Sequence, residues 1–419
     1  MTDTTDTAFG PVAQKDRIFN LDMLRGWAIL GILAVNAMAF AWPLALTMGE
    51  MSGVAPPYPH DAANIRGDWV TDVFFEDKFR SLFSMLFGVS IFLIGGERDS
   101  ERGPVLVRRL MWLGLFGLVH GAVFWAGDIL LHYAYCGLIV MLARSWSARR
   151  LIWTGAGLNA AFAVLSALAM LGMGAMQGDG AAGADGNPFA MTRAQVTAAI
   201  AAYQGGGLQP MIENLKAWLT MQSASLFLIP ITSGLMMLGL GLFKAGFFSG
   251  RSPTWLYGLL VLIGAANLAG FAWYGWLDAA TAPTQPDASR GLGGVMGSFA
   301  PLVTLGYASL LILLAKVARP AVAWLAPVGR MAFTNYLTQT LVMASLFHLP
   351  WGPGWFGDPA WGPGRLWLIV VAIWVAQIIW SPLWLSRFQF GPFEWVWRRL
   401  TYGRPIALRR QAEAAAVAG

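Results

Sequence analysis

Two histidines and an aspartate lie close together in one apolar stretch, Leu118 to Gly137, where charged side chains are otherwise missing. An imidazole can take a proton from an attacking hydroxyl or amine, while a carboxylate orients the ring and stabilises the imidazolium. His120, Asp128 and His132 therefore favour general-base catalysis, with His120 as the base, Asp128 as its partner and His132 as a substrate contact.

A structural interpretation of the same residues stays open. A Gly-Asp dipeptide before an apolar run is typical of a helix N-cap, in which the Asp128 carboxylate accepts backbone N–H groups. The histidines would then lie at the membrane interface, satisfied by water or by a carbonyl. Spacing alone does not separate the two, because a histidine and an aspartate eight residues apart form no specific motif.

Other polar residues within the apolar segments are candidates because ionisable and polar groups are costly in hydrocarbon. Asn36 could donate a hydrogen bond to a carbonyl or oxyanion, or it could join two helices. The remaining candidate substrate-binding residues are Tyr133, Lys78, Ser84, Asn335, Tyr336 and Gln339. Their alternative roles are helix packing and, for Lys78, extension of the ammonium to the interface.

Arginines near the ends of the apolar segments are candidates for holding an anionic nucleotide. Arg25 and Arg108 are the predicted contacts, with Arg109 beside them. The alternative is that they anchor helices to anionic lipid headgroups.

Composition defines the elements that must position these residues. The 419 residues are 57% hydrophobic and only 12% charged, and 21 are tryptophan. Nearly uncharged runs of about 18 or more residues predict membrane-spanning helices. The formal charge of +6 is not accompanied by a basic and aromatic module, so nucleic acid is not an expected partner. Cys136 is the single cysteine, so the chain has no intrachain disulfide, and no metal site is expected.

The predicted fold is an all-α, polytopic integral membrane protein of about ten transmembrane helices. An orientation with both termini in the cytosol places 21 of the 28 Lys and Arg residues on the cytosolic side, as the positive-inside rule requires. The predicted spans are 24–46, 79–96, 105–126, 128–144, 150–174, 222–247, 254–277, 296–316, 330–349 and 365–386.

One membrane domain, residues 24–386, is predicted between a cytosolic tail at 1–23 and a basic cytosolic tail at 387–419. Long outer loops are expected near 47–78, 175–221 and 278–295. Within the second, Thr192 and Gln195 have the spacing of a capping box and predict a short surface helix. The short connection at Gly127 makes the spans that carry His120 and Asp128 antiparallel neighbours.

Five blocks of sequence closely resemble the YeiB-type family of bacterial inner-membrane proteins, and together they extend from the first predicted span to the C-terminal tail. The most specific are "GDILxxYA", from Gly127, and "GPFEWxWRxLTYG", from Gly391. The other blocks are "LDMLRGWAILGILAVN", "KFRSLFSMLFG" and "GRMAFTNYLTQT".

This family is related to the transmembrane acyltransferase superfamily, and the resemblance implies a donor and an acceptor on opposite sides of the membrane. Acyl-CoA, with acetyl-CoA expected, would lie at the cytosolic face near Arg25. In the O-acyltransferase branch, a histidine follows the "LDxLRG" motif by about ten positions, whereas this chain has Asn36 there. Asn36 cannot act as a base, so this departure directs attention to His120.

The first functional hypothesis is a multi-pass enzyme of the bacterial inner membrane that transfers an acyl group to a hydroxyl or amine of an extracytoplasmic small molecule or glycan. The alternative is a transporter or flippase, in which the same polar groups form a substrate or proton path. A non-catalytic membrane partner is a third class. The lipid bilayer is the expected surrounding, and the oligomeric state stays open, a homodimer included.

Overall fold

The computed structural model describes residues 18–44, 46, 54, 57–176, 192–281 and 299–410. These residues form α-helices and one π-helical segment, and within them no strand occurs beyond an isolated bridge between Phe388 and Arg409. The helices are α1 Phe19–Ala41, α2 Ala62–Phe74, α3 Lys78–Gly95, α4 Gly103–Val119, α5 Leu130–Ala143, α6 Ala148–Met176, α7 Arg193–Tyr203, α8 Gln209–Lys244, α9 Thr254–Thr281, α10 Ala300–Val317, α11 Arg319–Ala323, α12 Leu325–Arg330, α13 Ala332–Phe347, α14 Pro363–Arg387 and α15 Pro392–Tyr402. The π segment, His120–Phe124, continues α4.

The fold is that of a polytopic membrane protein. Within the described part of the chain, eight helical segments are long and apolar enough to cross a bilayer. Each of the ten predicted spans coincides with a helix, but α5 and α13 have only 14 and 16 residues. Both are therefore shorter than the roughly 20 residues that a perpendicular crossing needs.

The predicted outer loops contain more helix than expected. Helix α2 lies in the segment predicted as a loop near 47–78, and the Asp61 side chain caps it by accepting the Ala63 and Asn64 amides. The capping box at Thr192 begins α7, as predicted. Helix α8 begins at Gln209 rather than at 222, because a polar first half continues into the apolar second half without a break.

The two predicted tails, 1–23 and 387–419, both contain residues that are helical in the structure. Helix α1 begins at Phe19, and residues 1–17 lie outside the described part. The predicted basic tail at 387–419 contains α15, which packs against α4 and α13. Most of the loop predicted at 278–295 lies outside the described residues, and α9 extends to Thr281.

Helix α1 lies at the centre of the bundle. Its side chains Met23, Leu24 and Ile29 are fully buried against α3, α12 and α13. A Cβ on Gly26 would lie 2.0 Å from the Leu325 carbonyl oxygen, so α12 crosses α1 at backbone contact. Small residues permit such close crossings in membrane bundles.

An outer ring of helices presents apolar side chains to the surroundings. Trp153 on α6, Trp255 on α9 and Leu368 on α14 are each about two-thirds exposed. In a chain this apolar, such exposed side chains are the surface that lipid covers. The bundle therefore has an apolar outer surface as well as an apolar core, within which a smaller set of polar side chains is buried.

Candidate functional site

His120, the first residue of the π segment, lies between two polar side chains. Its Nδ1 is 2.8 Å from Asp128 Oδ1, and its Nε2 is 2.9 Å from Thr340 Oγ1 on α13. The Asp128 and His120 side chains are 0% and 3% exposed. The three form a continuous carboxylate–imidazole–hydroxyl arrangement inside the bundle.

Asp128 combines the two roles that the sequence left open. Its Oδ1 accepts the Leu130 amide at 3.1 Å, and its Oδ2 accepts the Leu131 amide at 3.0 Å, so it caps the start of α5. Because these two amides donate to it, the Asp128 carboxylate is held in position independently of its bond to His120. The helix cap is therefore also what orients the carboxylate toward the imidazole.

Gly117 on α4 allows the hairpin to close tightly enough for this contact. A Cβ at Gly117 would lie 2.2 Å from the Leu131 nitrogen and 2.9 Å from Asp128 Oδ2. The backbones of α4 and α5 thus meet at the capped turn, which brings Asp128 level with His120.

Side chains from other helices bind the carbonyls that the π segment leaves free. The Asn214 amide donates to the Gly121 and Ala122 carbonyls at 2.9 and 3.3 Å. His348 Nε2 donates to the Phe124 carbonyl at 2.9 Å. π-Helical turns recur at functional sites because they displace a side chain from the regular helix register. Here the π segment begins at His120, and its carbonyls are bound by Asn214 on α8 and by His348, which directly follows α13.

A cavity of about 250 Å³ extends from the beginning of α1 toward this arrangement. Its walls are apolar, with Leu86, Leu106, Leu110 and Ile129 among them. Tyr133 and Tyr336 line it as well, and both are buried. The Tyr336 ring centroid is 5.2 Å from that of His120, so one aromatic ring separates the cavity from the imidazole.

Tyr133 is held at the cavity by Ser84. Ser84 Oγ donates to the Arg80 carbonyl at 2.8 Å, and it lies 2.7 Å from the Tyr133 hydroxyl. Since Ser84 uses its own proton on the carbonyl, the Tyr133 hydroxyl donates to Ser84. The predicted contact Ser84 therefore acts on the position of Tyr133 and does not line the cavity itself.

The opposite end of the cavity is cationic. Among the described residues, four arginines line it together with Asp22 and Glu394: Arg25, Arg109, Arg330 and Arg398. Arg25 bonds to Asp22 and to Ser90, at 3.2 and 2.9 Å. These arginines are half-buried, whereas the two tyrosines are buried, so the arginine end is the accessible one.

Arg108, which the sequence predicted as a second nucleotide contact, is not at the cavity. It is exposed and bonds to the Thr401 carbonyl at 3.4 Å. Its neighbour Arg109 lines the cavity, with its guanidinium 3.5 Å from the Trp397 ring centroid. Adjacent residues on a helix are about 100° apart, so only one of the two can face inward.

Helices α13 and α15 cap each other beside the arginine end. Glu394 Oε1 accepts the Phe333 and Thr334 amides at 2.8 and 3.0 Å, at the first turn of α13. Thr334 Oγ1 donates to Glu394 Oε2 and accepts the Phe393 amide at 3.1 Å, at the first turn of α15. Burial raises the pKa of the Glu394 carboxyl above its ordinary value, against the effect of these hydrogen bonds. The C-terminal segment is thereby attached to the helix that carries Tyr336 and Thr340.

His132 belongs to a separate pair of hydrogen bonds. Its Nδ1 is 2.7 Å from Ser225 Oγ and its Nε2 is 2.8 Å from Thr232 Oγ1, both on α8. It does not line the cavity, although it lies only one turn from Asp128 along the chain. The structure does not bring His132 together with His120, because its ring bonds to α8; its predicted role as a substrate contact stays a prediction.

Lys78 is buried rather than extended to an interface. Its side chain donates to the Asp72 carbonyl at 2.7 Å and lies 3.9 Å from the Phe271 ring centroid. With 2% exposure and no place on the cavity wall, it joins α2, α3 and α9. Both sequence interpretations of Lys78, as a substrate contact and as an interfacial anchor, differ from this position.

The predicted amide contacts pack helices instead of lining the cavity. Asn335 bonds to the Val328 carbonyl, to Ser381 and to Trp380, while Gln339 bonds to the Ile29 carbonyl and to Gln377. The Asn36 side chain is partly exposed, does not line the cavity and makes no hydrogen bond to a described residue. Of the three predicted contacts on α13, Tyr336 lines the cavity, whereas Asn335 and Gln339 do not.

The fold and the site define a polytopic membrane protein with a buried carboxylate–imidazole–hydroxyl arrangement beside an arginine-ended cavity. By full-length similarity the chain belongs to the YeiB-type family. It is 32% identical to "Uncharacterized protein YeiB" of Escherichia coli (strain K12), over 92% of this chain and 96% of the relative.

Two further relatives cover the chain equally well. It is 31% identical to "Uncharacterized protein YxaH" of Bacillus subtilis (strain 168), over 95% of this chain and 98% of the relative. It is 30% identical to the "Uncharacterized 39.9 kDa protein in amylase 3'region" of Bacillus acidopullulyticus, over 96% and 99%. The family described as "Protein of unknown function (DUF418)" matches residues 242–404, which include Thr340 and Glu394. No solved structure matches the chain significantly.

Proposed function

We propose that this protein is an acyltransferase of the bacterial inner membrane. It would move an acyl group, with acetyl expected, from acyl-CoA to a hydroxyl or amine of an extracytoplasmic acceptor. The observation that carries the proposal is the cavity, whose arginine end and tyrosine end lie on opposite sides of an apolar passage. Its buried end is one ring away from the Asp128–His120 pair.

The arginine end suits the phosphates of coenzyme A. Guanidinium groups bind phosphate through two parallel N–H donors and remain charged when partly buried. Arg25, Arg109, Arg330 and Arg398 exceed the carboxylates Asp22 and Glu394 by two charges, so this end attracts anions. The positive-inside rule supports a cytosolic location for it.

The apolar passage suits the thioester arm and the acyl group. Leucine and isoleucine side chains line it without a charged group between the arginines and the tyrosines. A donor lying along it would place its thioester near Tyr133 and Tyr336. The carbonyl would then lie next to the residues that can accept a proton.

The Asp128–His120 pair suits base catalysis. The carboxylate accepts the Nδ1 proton, which leaves the Nε2 lone pair to take a proton from a nucleophile. Asp128 also stabilises the imidazolium that forms in the transition state. Asn36 has no part in this mechanism, because its side chain lies neither at the cavity nor in hydrogen-bond contact with His120 or Asp128.

Acetyl-CoA binding and transfer by the purified full-length protein test the proposal. Calorimetry is expected to detect acetyl-CoA binding to the parent and to His120→Gln, whereas transfer to acceptors from a cell extract is lost only in the variant. His132→Gln is the matched control, since His132 is also buried with two hydrogen bonds but lacks the carboxylate and the cavity. It should keep both properties.

Two outcomes would overturn the proposal. One is a parent protein that binds no acetyl-CoA; the other is a His120→Gln protein that transfers acetyl groups as fast as the parent. If the parent instead carries a solute across a vesicle membrane without acylating it, the transporter alternative replaces the enzyme.

A further inference from the structure

The hydroxyl of Thr340 bonds to a histidine that is itself bonded to a carboxylate, whereas that of Thr232 bonds to His132, whose other partner is Ser225. Threonine and serine inside helices generally return their hydroxyl proton to the carbonyl four residues earlier. Among the described residues, six other threonines do so: Thr71, Thr197, Thr220, Thr304, Thr338 and Thr401. Thr340 Oγ1 instead lies 2.9 Å from His120 Nε2.

The direction of the protons follows from the partners of Asp128. Both of its oxygens act as acceptors, since they bind the Leu130 and Leu131 amides. His120 Nδ1 therefore carries a proton and donates it to Asp128, and Nε2 presents a lone pair. Thr340 is then the donor to Nε2, with its oxygen lone pairs unused by any described residue.

We propose that Thr340 is the nucleophile of this site and carries the acyl group between donor and acceptor as an ester. The inference rests on the proposed acyltransferase function and adds a covalent intermediate to it. A hydroxyl bonded to an imidazole, which is in turn oriented by a carboxylate, is the arrangement that activates serine and threonine nucleophiles. Sequence spacing gave no indication of it, since Thr340 is 220 residues from His120.

The first half-reaction loads the threonine. Thr340 Oγ1 attacks the thioester carbonyl of acyl-CoA, and its proton passes to His120 Nε2. The carbon–sulfur bond then breaks, and His120 returns the proton to the departing thiolate, so the products are acyl-threonine and free coenzyme A. Tyr336 lies one turn before Thr340, and its buried hydroxyl bonds to no described residue, so it can donate to the carbonyl oxygen during the attack.

The second half-reaction unloads it. His120 Nε2 takes the proton of the acceptor hydroxyl or amine, whose oxygen or nitrogen attacks the acyl-threonine carbonyl. The bond from the acyl carbon to Oγ1 breaks, and Thr340 recovers its proton from His120. Donor and acceptor consequently never need to occupy the site together, as suits reactants on opposite sides of a membrane.

Thr340 is buried at 2% exposure, and Tyr336 on the same face of α13 lies between it and the cavity. The acyl end of the donor must therefore displace the Tyr336 ring before the attack.

The test is to incubate the full-length protein in detergent with acetyl-CoA, without acceptor, and to locate the acetyl group by peptide mass spectrometry. The acetyl group is expected on the Thr340 residue of the parent and on the serine of Thr340→Ser. Thr340→Val should carry no label there and should lose on the order of 10⁶-fold in transfer rate. Thr338→Val is the control: its hydroxyl bonds only to carbonyls of α13, and it should behave as the parent.

The outcomes separate this inference from the proposed function. A parent that transfers acetyl from acetyl-CoA but carries no acetyl on Thr340, or a Thr340→Val protein that transfers at the parental rate, overturns the threonine ester alone. A parent that neither binds nor consumes acetyl-CoA overturns both. If Thr340→Val does not fold, the labelled residue in the parent and in Thr340→Ser decides the question.

Discussion

Glu394 and Thr334 cap the helices that carry each other. The Glu394 carboxylate accepts the first free amides of α13, and the Thr334 hydroxyl accepts one at the start of α15 while donating to Glu394. Capping contacts of this kind typically contribute about 1 kcal/mol each. The C-terminal segment is thus a structural part of the cavity wall, to which it also contributes Trp397 and Arg398.

We expect this mutual cap to make the stability of the bundle dependent on pH. Burial raises the pKa of Glu394 above 4.5, so folding makes ionisation of this carboxyl less favourable than it is in the unfolded chain. The corresponding stability is present below about pH 4.5 and is lost as the pH rises through the raised pKa. Melting curves in detergent should show a midpoint that falls with pH in the parent relative to Glu394→Gln. Parallel curves for the two proteins would contradict this.

Asp128 should show its two roles separately in two variants. Asparagine caps helices as well as aspartate does, but its amide can donate to His120 Nδ1 and so impose the tautomer that cannot accept from Thr340. We expect Asp128→Asn to melt near the parent and to lose about 10²–10⁴-fold in transfer. Asp128→Ala should lose transfer and, in addition, about 1 kcal/mol of stability. Equal melting temperatures for the two variants would exclude the cap as a source of stability.

Arg109 and its neighbour Arg108 offer a matched test of the cationic end. Arg109 lines the cavity on the Trp397 ring, whereas Arg108 is exposed beside Thr401. Arg109→Ala should weaken acetyl-CoA binding by about tenfold or more, since a charge-assisted hydrogen bond contributes about 1.5–3 kcal/mol. Arg108→Ala should leave the dissociation constant unchanged. A comparable loss in both, measured by calorimetry at one salt concentration, would indicate a nonspecific charge effect.

Gly117 should tolerate no side chain. The Cβ of Gly117→Ala would overlap the Leu131 nitrogen and press on Asp128, so the hairpin must open. We expect a loss of about 1–3 kcal/mol in stability together with a loss of transfer. Gly157→Ala on α6 is the control, because a Cβ there meets nothing within 4 Å, and it should be neutral or slightly stabilising. Similar melting temperatures for the two variants would show that α4 and α5 adjust without cost.

Much of the fold could be predicted because uninterrupted apolar runs indicate membrane-spanning helices. The predicted spans all coincide with helices, and the capping box at Thr192 located α7. Helix α2 was missed, since its polar residues resemble a loop and its stability comes from packing on α9 and α14. The polar first half of α8 was missed for the same reason, because the periodicity of apolar residues indicates which face of a helix is buried but not which element packs on it.

The site could be predicted only where its parts lie near each other in sequence. His120 and Asp128 share one hairpin, so spacing placed them together. Thr340, Arg109 and Glu394 reach the site through tertiary packing, and the first two have chemically similar neighbours that do not. Thr338 and Arg108 differ from Thr340 and Arg109 only in helix register, and the exposed Arg399 differs in the same way from Arg398, which lines the cavity; Glu394 has no such neighbour.

The polar first half of α8 covers the backbone of the π segment. Helix α8 has 36 residues, or roughly 54 Å of length, whereas the hydrocarbon of a bilayer is about 30 Å thick. Its first turns therefore project beyond the lipid tails, and from there Asn214 and Trp218 cover Gly121. Irregular backbone persists at membrane level only where protein shields it from lipid. The interruption that presents His120 to Thr340 is thus covered by the polar half of α8, so the length of that helix beyond its apolar run is what keeps the π segment away from lipid.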